Sequence, residues 1–179
     1  PSKKGGETTL CDGIQLWKIL PAKLKLYFLK QPLKYSIEIQ LPNIKKQKRR
    51  GKQDWITNTR GISGYVDLDE NKACLEVLRY AINKIENLDS YAFTNHLIAD
   101  NYNEPQIKNI SMASGEVIPD EYLKLIREKS FEIIYEHSWE KNDLLMIDNK
   151  RFMHGRREFP KNCDRDILTI QTEKSAFKG

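Results

Sequence analysis

Apolar residues in the second half of this chain come in runs of strand length, each closed off by Asn, Pro or charged residues, and that pattern restricts what it can fold into. Tyr91 to Ala99, Phe131 to Tyr135, Asp143 to Asp148 and Asp166 to Thr172 are the predicted strands. An Asn-rich loop follows the first of them, and loops at Glu140-Lys141-Asn142 and Pro160 to Asp164 separate the last three. Short strands joined by polar loops pair as antiparallel sheets. One helix interrupts them, opened by Pro119-Asp120-Glu121 and burying Tyr122, Leu123 and Ile126.

The first half reads as mostly helical. Asp12 can cap a helix through Ile14, Trp17 and Leu20, and Pro21 restarts a second one carrying Leu24, Tyr27 and Phe28. Tyr35 to Leu41 alternates as a strand and stops at Pro42, and Asp54 to Thr59 reads as a loop leading into another strand. The spacing of Cys74, Val77, Leu78, Ala81, Ile82 and Ile85 at three and four residues predicts a core-facing helix after Asn71. Helices early and short strands late predict an α+β domain with a largely antiparallel sheet or β-sandwich.

Composition limits the alternatives. At 179 residues and 39% apolar, the chain can bury one sizeable core, so residues 1–179 are expected to form a single domain. No window approaches eighteen consecutive apolar residues, which excludes a spanning helix, and the opening Pro1 to Gly6 lacks the apolar stretch of a secretory signal. Cys11, Cys74 and Cys163 are odd in number and lack C-x-x-C spacing, which argues against a disulfide framework and fits a reducing, cytoplasmic setting. The net charge of +5 is local: Lys45 to Lys52 holds six cations in eight residues. Without interleaved aromatics that run reads as a solvated loop, and a nucleic-acid patch is the rival reading.

Only three histidines are available for imidazole chemistry, His96, His137 and His154. His137 precedes Ser138-Trp139-Glu140 and reads as a surface turn. His96 lies in a predicted strand, after Phe93-Thr94-Asn95, and could face a pocket or solvent. His154 follows the apolar run Leu144 to Ile147, and eleven residues on Arg165 opens the next predicted strand, where a hairpin would bring its guanidinium back near the imidazole. A planar fork of donors beside an imidazole suits a metal-bound carboxylate ligand; an exposed arginine on a hairpin is the competing account. Gly5-Gly6-Glu7-Thr8-Thr9-Leu10, taken alone, is a turn before a helix cap.

Together these pieces resemble the TauD/TfdA family of iron(II)- and 2-oxoglutarate-dependent dioxygenases, related to the clavaminate-synthase-like enzymes. Gly5-Gly6-Glu7-Thr8, followed by Leu10 and Asp12, resembles the family's Gly-Gly-Asp/Glu-Thr element. Phe93-Thr94-Asn95 resembles a strand flanking the substrate pocket. Asn142 to Asn149, with His154-Gly155-Arg156 and then Arg165, resembles the closing segment. The resemblance implies a double-stranded β-helix (jelly-roll) core with flanking helices, using iron(II) and 2-oxoglutarate to hydroxylate an unactivated C–H bond of a small molecule with dioxygen. It implies His154 as a metal ligand, Thr8 and Arg165 as contacts of the 2-oxoglutarate carboxylate, and Asn95, His96 and Arg156 near the substrate. Asp148 and Asn149 are expected to tie the loop before His154 to backbone groups.

One element of the pattern is not here. The family holds iron with two His and one carboxylate, and its His-x-Asp/Glu pair precedes the Gly-rich element. Only seven residues precede Thr8, and neither His96-Leu97-Ile98 nor His137-Ser138-Trp139 forms such a pair. The expectation is a C-terminal portion of a longer protein, the N-terminal part of the fold being absent. Two alternatives remain open: a halogenase of the same fold, in which a small residue replaces the carboxylate, and a noncatalytic binding domain derived from it.

Overall fold

The computed structural model describes residues 5–41, 61–95, 97–98, 107–158 and 167–170 in full and residues 52–59 as backbone. Asp12 ends the first strand, β1 (Thr8–Asp12), and caps the first helix, α1 (Gly13–Ile19), where its carboxylate accepts the Ile14 N–H at 2.9 Å. That bond satisfies one of the donors every helix start leaves over. Pro21 precedes α2 (Ala22–Lys30), and its carbonyl accepts from Leu24 and Lys25, so the expected pair of short helices with a break is present. Then follow β2 (Leu33–Gln40), β3 (Lys52–Thr59), β4 (Ile62–Asp67), β5 (Lys72–Arg79), β6 (Ile82–Ile85), a 3-10 turn (Glu86–Leu88) and β7 (Ser90–Phe93). The last elements are β8 (Ile107–Met112), α3 (Asp120–Phe131), β9 (Tyr135–His137) and β10 (Phe152–Arg156).

The described strands pair antiparallel throughout, in three sheets of order β3-β4-β5-β2-β8, β10-β1-β9 and β6-β7. The architecture is mixed α/β with antiparallel sheets and few helices.

Several sequence expectations are corrected. The helix predicted after Asn71 is two strands, β5 and β6. Ala73, Leu75 and Val77 alternate on one face of β5, opposite Ile39, Ile37 and Tyr35 of β2, while Cys74, Glu76 and Leu78 occupy the other. Apolar residues on both faces of a strand mimic helical spacing by coincidence, and pairing with β2 and β4 settles the period at two. Asn71 sits at φ 53° in the turn between β4 and β5 and does not start a helix. The loop predicted over Asp54 to Thr59 belongs to strand β3. The strand predicted from Tyr91 ends at Phe93, while β8 was not anticipated.

Near the C-terminus the predicted strands are displaced. Phe131 is the last residue of α3, and the strand begins at Tyr135. Asp143 to Asp148 has no regular structure and pairs with no strand among the described residues; the strand lies further on, at Phe152–Arg156, where sequence reading assigned none. Residues 167–170 have no regular structure, and the rest of the strand predicted over Asp166 to Thr172 lies outside the described residues.

The core forms where the helices meet the sheets. Leu16 of α1, Leu24 and Phe28 of α2, Leu33 of β2, Phe93 of β7, Met112 of β8 and Ile126 of α3 are buried together. Phe28 meets Phe93 edge-on, with centroids 5.3 Å apart. Cys11 joins this core from β1, and Met153 of β10 packs against it, which fixes the inward face of the three-stranded sheet. Burial pushes the Cys11 thiol up to about 11, with Asp12 adding to the shift and a hydrogen bond with Ser130 opposing it. Near pH 8, Cys11 is therefore expected to alkylate about a hundredfold more slowly in the folded protein than unfolded. Mass mapping after a timed iodoacetamide pulse checks this, and equal labelling in the two states would refute it.

Candidate functional site

The outward face of the three-stranded sheet carries three of the residues that sequence reading singled out, Thr8, His154 and Arg156. In β1 the side chains alternate, so Cys11 toward the core puts Thr8, Leu10 and Asp12 on the other side. The register sets Thr8 opposite Arg156 and Leu10 opposite His154 on β10, and Thr8 opposite His137 and Leu10 opposite Tyr135 on β9. Directly opposed residues share a face. Thr8, His154 and Arg156, remote in the chain, are therefore neighbours on one surface. His137, read from sequence as part of a surface turn, is the end of a strand on that same surface.

Gly5 and Gly6 adopt φ of 88° and 80°, a backbone region open to glycine. The sharp turn lets the Gly6 N–H donate to Glu158 O at 3.0 Å while the Arg157 N–H donates to Glu7 O at 3.0 Å, so β1 and β10 stay paired past Thr8. At the other end of the ladder Asp12 is buried and accepts Arg151 Nε at 3.2 Å and Nη2 at 2.6 Å as well as the Ile14 N–H. Burial alone would raise its carboxyl pKa; the bonds from Arg151 and Ile14 outweigh that and hold it below the ordinary carboxylate value. The Gly13 N–H donates to Arg151 O at 2.8 Å, and a Cβ on Gly13 would lie 2.6 Å from that oxygen and 2.7 Å from Phe93 O. The start of α1, the end of β7 and the turn before β10 thus approach too closely for any other residue at position 13. Asp148 organises that turn, its side chain accepting the Lys150 N–H and its carbonyl those of Arg151 and Phe152, as expected from the sequence.

Around Thr8 the polar contacts come from the segment after β9. Trp139 Nε1 donates to Thr8 Oγ1 at 2.8 Å. The Trp139 ring meets the His137 imidazole edge-on at 4.8 Å, and His137 Nε2 lies 3.2 Å from Asp143 Oδ2, at ion-pair distance but without hydrogen-bond geometry. Arg157 and Glu136 pair on the opposite face.

His154 is exposed, and among the described residues no hydrogen bond or ion pair engages its imidazole. Asn95 is tied into the turn after β7: its amide donates to Ala81 O at 3.1 Å and its side-chain oxygen accepts the Leu97 N–H at 3.0 Å. His96 and Arg165 lie outside the described residues, as does most of the basic run from Lys45 to Lys52. Among the described residues no three His, Cys, Asp or Glu side chains gather closely enough to hold a metal ion. Sequence reading missed the contact of Trp139 with Thr8 and the clamp between Asp12 and Arg151. The spacing of Asp12, Leu10 and Thr8 at two residues would have placed Asp12 on the Thr8 side of β1; nothing local announced Trp139.

Antiparallel sheets with few helices are a fold that has solved members. The chain is similar to the crystal structure of a Burkholderia xenovorans protein provisionally designated an alpha-ketoglutarate dependent 2,4-D dioxygenase, at a TM-score of 0.51 and 16% identity, with 92% of this chain and 55% of that one covered. At that identity the likeness concerns the fold, and the chain spans little more than half the length of that protein. Comparison with curated protein sequences gives no match. The model of the taurine catabolism dioxygenase TauD, TfdA family matches residues 1–171, and the chain belongs to that family. No helix among the described residues is long and apolar enough to cross a membrane.

Proposed function

We propose that this chain forms part of an iron(II)- and 2-oxoglutarate-dependent oxygenase that hydroxylates an unactivated C–H bond of a small molecule and acts in the cytoplasm. The observation that supports it most directly is the register of β1 with β10, which sets Thr8, His154 and Arg156 on one sheet face. Bound together, iron(II) and 2-oxoglutarate would supply the activation of dioxygen, one oxygen atom of which enters the substrate and the other succinate, with carbon dioxide released.

This chain's residues bind and orient. His154 offers its imidazole as one metal ligand, and its exposed position, unbonded among the described residues, suits that task. Thr8 and Arg165 hold the distal carboxylate of 2-oxoglutarate, the hydroxyl as a single donor and the guanidinium as a fork. Arg156, opposite Thr8 on the same surface, lines the substrate side together with Asn95 and His96. The Asp12–Arg151 clamp and the Gly13 contact keep β10 in register with β1. A double-stranded β-helix core, a single domain over residues 1–179 and metal ligands supplied from outside this chain belong to the same reading.

Succinate released from 2-oxoglutarate by the iron-loaded full-length protein tests it. In that protein Arg165→Ala is expected to weaken 2-oxoglutarate binding by about tenfold or more while leaving iron binding nearly unchanged, because a charge-assisted pair with the carboxylate is lost and no proposed metal ligand is removed. Equal 2-oxoglutarate affinity in the two proteins would show that the anchor is misassigned. The absence of a complete ligand set among the described residues favours one second reading, a noncatalytic binding domain of the same fold. Neither metal uptake nor succinate from the full-length protein would select that reading, and chlorination in place of hydroxylation would select a halogenase.

A further inference from the structure

The Thr8 hydroxyl is not simply presented on the strand; its hydrogen is aimed. A hydroxyl has one donor and two acceptor lone pairs, whereas an indole N–H can only donate. Trp139 Nε1 lies 2.8 Å from Thr8 Oγ1 and so occupies an acceptor position of that oxygen. The hydroxyl hydrogen is left for another partner, and an oxygen anion is the partner that gains most from a donor. Trp139 is itself held in place. Its ring rests edge-on against His137 at 4.8 Å, and His137 lies 3.2 Å from Asp143. Asp143 closes the turn after Trp139, its carboxylate accepting the Glu140 N–H at 2.8 Å and its own N–H donating to Glu140 O at 3.2 Å.

We infer that Trp139 is a positioning residue for the carboxylate-binding hydroxyl of Thr8: it fixes the rotor so that the hydroxyl meets the ligand as a donor. The inference rests on the proposed contact between Thr8 and the distal carboxylate of 2-oxoglutarate. It assigns a role to a segment, residues 137–143, that the proposed chemistry otherwise leaves unused.

Titration calorimetry with 2-oxoglutarate, on the full-length protein with iron(II) and without dioxygen, tests it. Trp139→Phe keeps a ring against His137 and removes the N–H, and is expected to weaken binding about five- to tenfold, the worth of one hydrogen bond. In a Thr8→Val background the same change is expected to have no further effect, because Trp139 acts through the hydroxyl. A packing role would instead give the same loss in both backgrounds, and that result overturns the inference. So does unchanged affinity in Trp139→Phe. If Trp139→Phe fails to fold, benzothienylalanine at position 139 preserves the shape of the indole without the N–H, and the same loss is expected. Absence of 2-oxoglutarate binding by the unmodified protein would overturn the function reading, and this inference with it. Normal binding there, with an insensitive Trp139, overturns this inference alone.

Discussion

His154→Ala is expected to abolish iron(II) uptake by the full-length protein and to lower succinate formation more than about a thousandfold, since in the proposed reading it removes one of three protein ligands of a facial site. The same change is expected to leave the folded state almost untouched. The imidazole is exposed and unbonded among the described residues, and substitutions of that kind shift stability by about 0.5 kcal/mol or less. Anaerobic metal titration beside a thermal melt separates the two effects. Iron uptake that survives the substitution would remove His154 from the site. A melt that collapses would mean that the imidazole supports the sheet.

Asp12→Ala has the opposite profile. It removes the cap of α1 and leaves the Arg151 guanidinium without its forked partner. Cap removal costs about 1 kcal/mol. Breaking a buried pair costs about 3–5 kcal/mol, a figure reduced here because a third of the Arg151 side chain is open to water. The expected loss is about 2–4 kcal/mol, which for a chain of this size lowers Tm by roughly 5–15 °C. Asp12→Asn keeps a capping oxygen and is expected to lose less. The pH dependence follows from the sign of the shift: the carboxyl is held lower in the folded protein than its ordinary value of 3.8. Its contribution is complete above that value and disappears as pH falls through the lower, folded one. The stability gap between wild type and Asp12→Asn should thus be constant near neutrality and close in acid. A gap that persists unchanged below about pH 3 would mean that the charge of Asp12 is not what holds Arg151.

What the sequence made legible follows the range of the forces involved. The cap at Asp12, the break at Pro21 and the amphipathic α3 depend on residues within one or two turns, and all were readable. The segment after Asn71 was not, because its helical spacing and its strand spacing both fit the local residues, and only β2 and β4 decide between them. Strand β10 was not predicted for the same reason: Phe152-Met153-His154-Gly155-Arg156 has weak alternation of its own and is held by β1, far away in the chain. Thr8, His154 and Arg156 were found as pieces of a family pattern, and the register supplied what no local spacing contains, their shared face. Trp139 and Arg151 lay beyond reach because each acts on a residue more than a hundred positions distant.

The central place of β1 has a consequence for biosynthesis. Its neighbours on either side, β9 and β10, are translated more than a hundred residues after it. Before they are added, the hairpin of β4 and β5 already has both its strands, but the segment bearing Thr8 lacks both of the strands it pairs with among the described residues. At about 5–20 residues per second, that interval lasts several seconds. The surface bearing Thr8 is assembled late by necessity, and a nascent chain stalled between residues 79 and 135 has a finished hairpin but lacks both described partners of β1.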